Sequence, residues 1–205
     1  MKPAPTHVVF DLGGVLIDWD PRHLYRDLIP EETEREHFLT EVCGPDWNVQ
    51  QDAGRTIAEA NADAIARYPD KRDLIEAYYA RFDVMMKGAI HGTVAILEEL
   101  HASGASLYAL TNWSAETFHH GVRRFAFLER FEGILVSGRE GLKKPDPAIF
   151  QLLCARYALE PADCVFVDDS LANAESAAAL GFHAHNFTTP EKLRADLAGH
   201  GLLPG

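Results

Sequence analysis

Asp11, Thr111 with Asn112, Ser137, and Asp168 with Asp169 each stand at the end of a short apolar run, and Lys144 follows the third of those runs. The set holds three carboxylates, hydroxyls, an amide and an ammonium. Such an inventory suits a phosphate group together with a divalent metal: oxygen ligands fit a hard cation such as magnesium, and the cation offsets repulsion between carboxylate and phosphoryl groups. Taken singly, each has a plainer reading. Asp11 would cap a helix, Thr111-Asn112 would form a turn, Asp168-Asp169 would be a capping pair and Lys144 a solvated surface charge.

The elements that must bring these residues together are parallel strands, whose carboxyl ends share one edge of a sheet. Val8-Val9-Phe10 is a continuous apolar run running into Asp11, and Gly13-Gly14 lets a ligand approach the main chain there. Further strands are expected at Ser106–Leu110, Gly133–Val136, Cys164–Val167 and Phe182–Phe187. Between them lie helices: one with Val94, Leu97 and Leu100 that stops at Gly104, one ending near Phe127, and one opened by Asp146-Pro147. The alternation from His91 onward predicts an α/β fold, a Rossmann-like parallel sheet flanked by helices. By contrast, residues 17–86 carry only helical stripes, the clearest being Leu74, Ile75, Tyr78, Tyr79 and Phe82. An all-helical insertion at 17–86 is therefore expected within a core of 1–16 and 87–205.

Composition sets the outer limits. At 205 residues and 47% hydrophobic content the chain can bury a full core. A net charge of -12 argues against nucleic acid as a partner but leaves room for a small anionic substrate held by a local positive focus. Cys43, Cys154 and Cys164 are odd in number and lack metal-ligand spacing, as reduced thiols of a cytoplasmic protein would. The Met1–Thr6 segment lacks an apolar leader and no run approaches a membrane span, so a cytoplasmic protein without membrane contact is expected, either monomer or homodimer.

Four segments, Asp11-Leu12-Gly13-Gly14-Val15, Thr111-Asn112, Lys144-Pro145-Asp146-Pro147 and Val167-Asp168-Asp169-Ser170, resemble in order and spacing the four motifs of the haloacid dehalogenase superfamily. The likeness covers essentially the whole chain, with the helical insertion in the place of that superfamily's specificity cap. Within it the chain looks most like small sugar-phosphate phosphatases similar to bacterial glucose-1-phosphate phosphatase. The resemblance implies a magnesium-dependent phosphatase for a small phosphate ester, with Asp11 as nucleophile forming an aspartyl-phosphate. It further implies that Asp11, the Gly13 carbonyl and Asp169 hold the metal, with Asp168 acting mainly through water. Thr111 and Asn112 would bind phosphoryl oxygens, Lys144 would neutralise charge between nucleophile and phosphate, and Asn173 would orient the acidic loop.

At Gly13 the chain departs from the common pattern, in which a second aspartate protonates the leaving group. Such help is typically worth about 10²–10⁴-fold. Either the substrate has a good leaving group, such as an anomeric hydroxyl, or Asp18, His37 or Asp52 of the insertion substitutes, or activity has been lost. The intact nucleophile, metal and lysine positions favour the first, and with it a steep dependence on leaving-group pKa. Asp18 and Trp47, the latter beside Gln50 and Gln51, are candidate substrate contacts. Two alternatives stand beside the phosphatase: a metal-independent 2-haloacid dehalogenase, which the Asp168-Asp169 pair disfavours, and a non-catalytic phosphometabolite-binding protein.

Overall fold

The computed structural model describes residues 5–204. The run His7–Phe10 forms strand β1, whose Val8, Val9 and Phe10 have no solvent exposure. The chain then bends through Gly13 and Gly14 into β2 (Ile17–Trp19). Gly14 has φ +73°, and a Cβ there would collide with the Asp169 carboxylate. Glycine is therefore required at the point where two functional loops meet.

Six helices follow: α1 (Arg22–Leu28), α2 (Glu32–His37), α3 (Pro45–Asp52), α4 (Ile57–Arg67), α5 (Arg72–Ala80) and α6 (Phe82–Met85). Their stripes face one another. Tyr25, Phe38, Trp47, Ala64, Ile75 and Tyr78 make a buried aromatic and aliphatic interior, in which each large side chain contributes about 1.5–3 kcal/mol. α4 starts with a capping box, Thr56 and Glu59 each accepting from the other's main-chain amide. Its Ile57 amide donates 2.7 Å to Glu116 Oε1 of the sheet domain, tying the two parts together.

β3 (Met86–Ala89) returns the chain by pairing antiparallel with β2. This ribbon is absent from the sequence reading, because neither strand exceeds four residues or alternates in polarity. The remainder alternates as expected: α7 (His91–Ser103), β4 (Ser106–Thr111), α8 (Phe118–Arg124), β5 (Gly133–Val136), α9 (Ser137–Glu140), α10 (Pro147–Tyr157), β6 (Cys164–Asp168), α11 (Leu171–Ala179), β7 (His183–Asn186) and α12 (Pro190–Gly199). The helix expected to reach Phe127 divides instead into α8 and a 3-10 turn at Ala126–Arg130.

The five long-range strands form one parallel sheet in the order β5-β4-β1-β6-β7. Alternate residues of β1 serve opposite layers. Val8 and Phe10 join the layer containing Leu97 of α7 and Leu193 of α12, while Val9 joins Ile149, Phe150 and Leu153 of α10. With β1 central and β4 and β6 on either side, the order reverses at β1. The crevice beyond its carboxyl end is where an open α/β sheet binds ligands. Among the described residues, no helix is long and apolar enough to cross a membrane.

Candidate active site

Strand pairing brings the distant motifs together. Asp11 follows Phe10, which is in register with Ala109 of β4 and Val167 of β6. Its main-chain amide donates 2.8 Å to the Val167 carbonyl, and its Oδ1 accepts from the Leu12 amide at 2.7 Å. The carboxylate is fixed in direction yet keeps 12% of its side-chain surface open.

Lys144 is the hub. Its side chain is wholly buried, with Nζ 3.0 Å from Asp11 Oδ1, 2.7 Å from Asp168 Oδ2 and 2.8 Å from the Leu110 carbonyl. Those three acceptors use all three protons of the ammonium. Burial opposes its charge, but Asp11 and Asp168 outweigh burial and hold the lysine above its ordinary pKa. Asp168 is satisfied all round, accepting also from the Ser170 amide at 2.9 Å and from Asn173 Nδ2 at 3.0 Å. Asn173 thus orients the acidic loop.

Asp11, Asp168 and Asp169 each offer an oxygen within 4.8 Å of the others. One ammonium does not neutralise three carboxylates. Burial, with the charges of Asp168 and Asp169 added, pushes Asp11 up to about 7 despite Lys144. Desolvation and then the Asp168 charge raise Asp169 as well. An oxygen donor set with surplus negative charge fits a hard divalent cation.

Thr111 is nearly fully buried and lines a cavity with Gly13, Trp19, Phe82 and Trp113. Asn112 lines it too, but much of its side chain is already committed. Its Nδ2 donates to the Lys144 carbonyl at 3.0 Å and its Oδ1 accepts from the Lys144 amide at 2.8 Å. It therefore locks the lysine's main chain, leaving one amide proton for a ligand. Ser137 Oγ accepts from the Trp113 amide at 2.9 Å and so steadies the loop after β4.

Two sequence-expected contacts lie elsewhere. Trp47 is 5% exposed, its indole donating to the Ala60 carbonyl and its ring packed against Tyr78 and Tyr79 in the interior of the insertion. Asp18, in β2, sits 2.9 Å from His23 Nε2, outside the cavity. Asn48 and Asp52 of α3, one helical turn apart, reach the cavity instead. Trp113 directly follows the Thr111-Asn112 motif, a proximity that marks it in the sequence, whereas Trp19 and Phe82 carry no local signal. Burial pushes the Cys43 and Cys164 thiols up to about 12, which removes them as nucleophiles at neutral pH.

This constellation on a parallel α/β sheet defines a hydrolase class. The family model described as haloacid dehalogenase-like hydrolase matches residues 5–181. The chain belongs to that family. It is 29% identical over 180 residues to a sesquiterpene phosphatase of Aspergillus oryzae, covering 84% of this chain and 85% of that one. It is 30% identical over 194 residues to a phosphoglycolate phosphatase of Nitrosospira multiformis, covering 88% and 82%. In fold it is similar to a family enzyme of Bacteroides thetaiotaomicron solved with magnesium and inorganic phosphate, with TM-score 0.71, 24% identity and coverage of 90% and 95%.

Proposed function

We propose that the protein is a magnesium-dependent phosphatase acting on a small phosphorylated metabolite, a sugar phosphate foremost, and that residues 17–86 are its specificity cap. The carrying observation is the oriented, partly open Asp11 carboxylate beside a buried lysine, with Thr111 and Asn112 on the adjacent strand end. The names of the two phosphatase relatives agree with it.

Asp11, Asp168, Asp169 and the Gly13 carbonyl are the groups that would hold the cation. When bound, magnesium supplies positive charge to the phosphoryl oxygens. Asp11 attacks phosphorus as the bond to the leaving-group oxygen breaks, giving the aspartyl-phosphate, and Lys144 favours its ionised form against burial and orients it for that attack. Thr111 and the remaining Asn112 donor hold the phosphoryl oxygens as charge shifts. Trp19, Phe82 and Trp113 line the cavity, aromatic side chains of the kind on which a sugar ring packs, and Asn48 adds a polar group to the same wall.

The first test is phosphate release from aldose-1-phosphates, aldose-6-phosphates, phosphoglycolate and a prenyl phosphate, with magnesium and with EDTA. Magnesium-dependent release that is highest on the sugar phosphates is expected. Release confined to the prenyl ester would keep the phosphatase and replace the substrate class. Stabilisation by these esters without turnover would favour the binding-protein reading, and halide release from a 2-haloacid in EDTA would favour the dehalogenase.

Magnesium should also stabilise the fold in a pH-dependent way. Asp11 binds its proton more tightly folded, at about 7, than at the ordinary value of 3.8. Its contribution is therefore favourable at low pH and is lost as pH rises through that window. A cation replaces the proton, so its effect grows with pH. At roughly a hundredfold excess over Kd, binding adds about 2.7 kcal/mol, which in a chain of this size is about 5–10 °C in Tm. That shift is expected at pH 8 and a clearly smaller one at pH 5.5; equal shifts in thermal unfolding would contradict the cation assignment.

A further inference from the structure

A carboxylate of the helical insertion lines the same cavity as Gly13. Gly13 itself has no described atom within 4 Å of where a Cβ would stand, so the space a side chain at that position would occupy opens directly to the cavity. Asp52 lines that cavity from the end of α3, and it also lines the wider, more polar cleft that adjoins it through Trp19, Asn48 and Asn112. It is shared by the space around Gly13 and Thr111 and by the cleft lined by Lys144.

Three features single out Asp52 from ordinary surface aspartates. Among the described residues, no Lys, Arg or His nitrogen lies within ion-pair distance of its carboxylate. It occupies the last position of a helix, where the macrodipole disfavours negative charge, so it has no capping purpose there. And a hydrogen-bond chain aims a donor at it: Gln51 Nε2 donates to Tyr79 Oη at 2.9 Å, Tyr79 Oη donates to Asn48 Oδ1 at 2.9 Å, and Asn48 Nδ2 donates to Asp52 Oδ2 at 3.3 Å. Buried glutamine and tyrosine thus fix which way the Asn48 amide points.

We infer that Asp52 is the general acid of the phosphatase reaction proposed above, an inference that rests on that reading, and that it protonates the leaving-group oxygen from the insertion side of the cavity. As Asp11 bonds to phosphorus and the bond from phosphorus to the leaving oxygen breaks, that oxygen takes the Asp52 proton and departs as an alcohol. Asp52, now a carboxylate, takes up a proton from solvent, and in the second step water attacks phosphorus and releases its proton to solvent. The Asp11–phosphorus bond breaks, inorganic phosphate leaves, and both aspartates return to their starting states.

The protonation state agrees with this role. Burial pushes Asp52 up to about 7, opposed by Lys144, a Ser114 backbone hydrogen bond and Lys143. The other titratable groups facing it are Tyr78 and Tyr79. A substantial fraction is therefore protonated at neutral pH, as a general acid must be. The other two candidates do not reach the cavity: His37 is exposed at the end of α2, and Asp18 is held by His23. With Asp52 present, the wild-type protein depends only weakly on leaving-group pKa, the reverse of what Gly13 alone implies.

The test is Asp52→Asn assayed on an alkyl phosphate and on nitrophenyl phosphate with magnesium. The expected result is a fall in kcat of about 10²–10⁴-fold on the alkyl ester with nitrophenyl phosphate hydrolysis nearly unchanged, the latter also reporting a folded site. The wild-type kcat on the alkyl ester should decline as pH rises past about 7, and the variant should lose that decline. Equal losses on both esters in a variant of native Tm, or no loss on either, would overturn the assignment. Should the variant fail to fold, a wild-type alkyl-ester profile flat from about pH 6 to 9 would overturn it equally. Wild-type protein releasing phosphate from neither ester would instead bring down the phosphatase reading itself.

Discussion

Asp11→Asn is expected to lower phosphate release by at least about 10⁴-fold, the scale seen when a covalent nucleophile is removed, while the fold stays intact. An amide oxygen does not form the acyl phosphate, so no rotamer change rescues the step. The structural cost is small. Asparagine Oδ1 retains the acceptor role toward the Leu12 amide, and Lys144 keeps Asp168 and the Leu110 carbonyl as partners. Removing one of three clustered carboxylates also removes a buried charge that burial, and then Asp168 and Asp169, disfavour. Thermal unfolding of the metal-free variant should therefore match or exceed wild type at pH 8. Residual turnover within about 100-fold of wild type, against the scale just given, would remove Asp11 as nucleophile.

How much of this is legible in the sequence follows from where each residue gets its environment. Asp11, Thr111 and Asp168 each end a run of buried apolar residues, and a parallel sheet aligns such ends, so local pattern plus one topological rule suffices. Lys144 is different. It lies in a loop just before the Asp146 cap, nothing around it in sequence signals burial, and only its motif context marked it. Its ammonium is met instead by β4, through the Leu110 carbonyl, and by β6, through Asp168 and the Phe166 ring. Asn112 shows the same gap between type and partner: the motif supplies an amide near phosphate, and the fold spends most of it on the Lys144 main chain.

The insertion was the least legible part, because its polar residues mislead. Gln51 beside Trp47 looks like a wet, ligand-facing surface, yet Gln51 has no exposure and serves an internal network to Tyr79 and Arg55. Trp47 and Trp113 are the same residue type with opposite placements, one filling the insertion's interior, the other walling the cavity. Which helical face meets the sheet domain is decided by the β2–β3 ribbon that carries the insertion. That ribbon is too short to leave a hydrophobic period in the sequence.

Lys144→Met should be the most destabilising single change in the sheet domain, by about 3–5 kcal/mol at pH 8, because it leaves buried carboxylates without their counter-charge. Methionine fills a similar volume, so packing is nearly conserved and the loss reports electrostatics. The Leu110 carbonyl and Asp168 Oδ2 also lose a donor inside the protein. The sign with pH follows from Asp11. With the ammonium gone, its carboxyl is held still higher, so lowering the pH lets it take a proton and lose its charge. The deficit in urea unfolding should accordingly shrink between pH 8 and pH 5.5. Turnover at pH 8 should fall by at least about 10²–10³-fold, as when one preorganised electrostatic partner is removed from an active site. A variant within about 1 kcal/mol of wild type at pH 8, far below the cost of breaking a buried ion pair, would mean that water or a cation already screens these carboxylates.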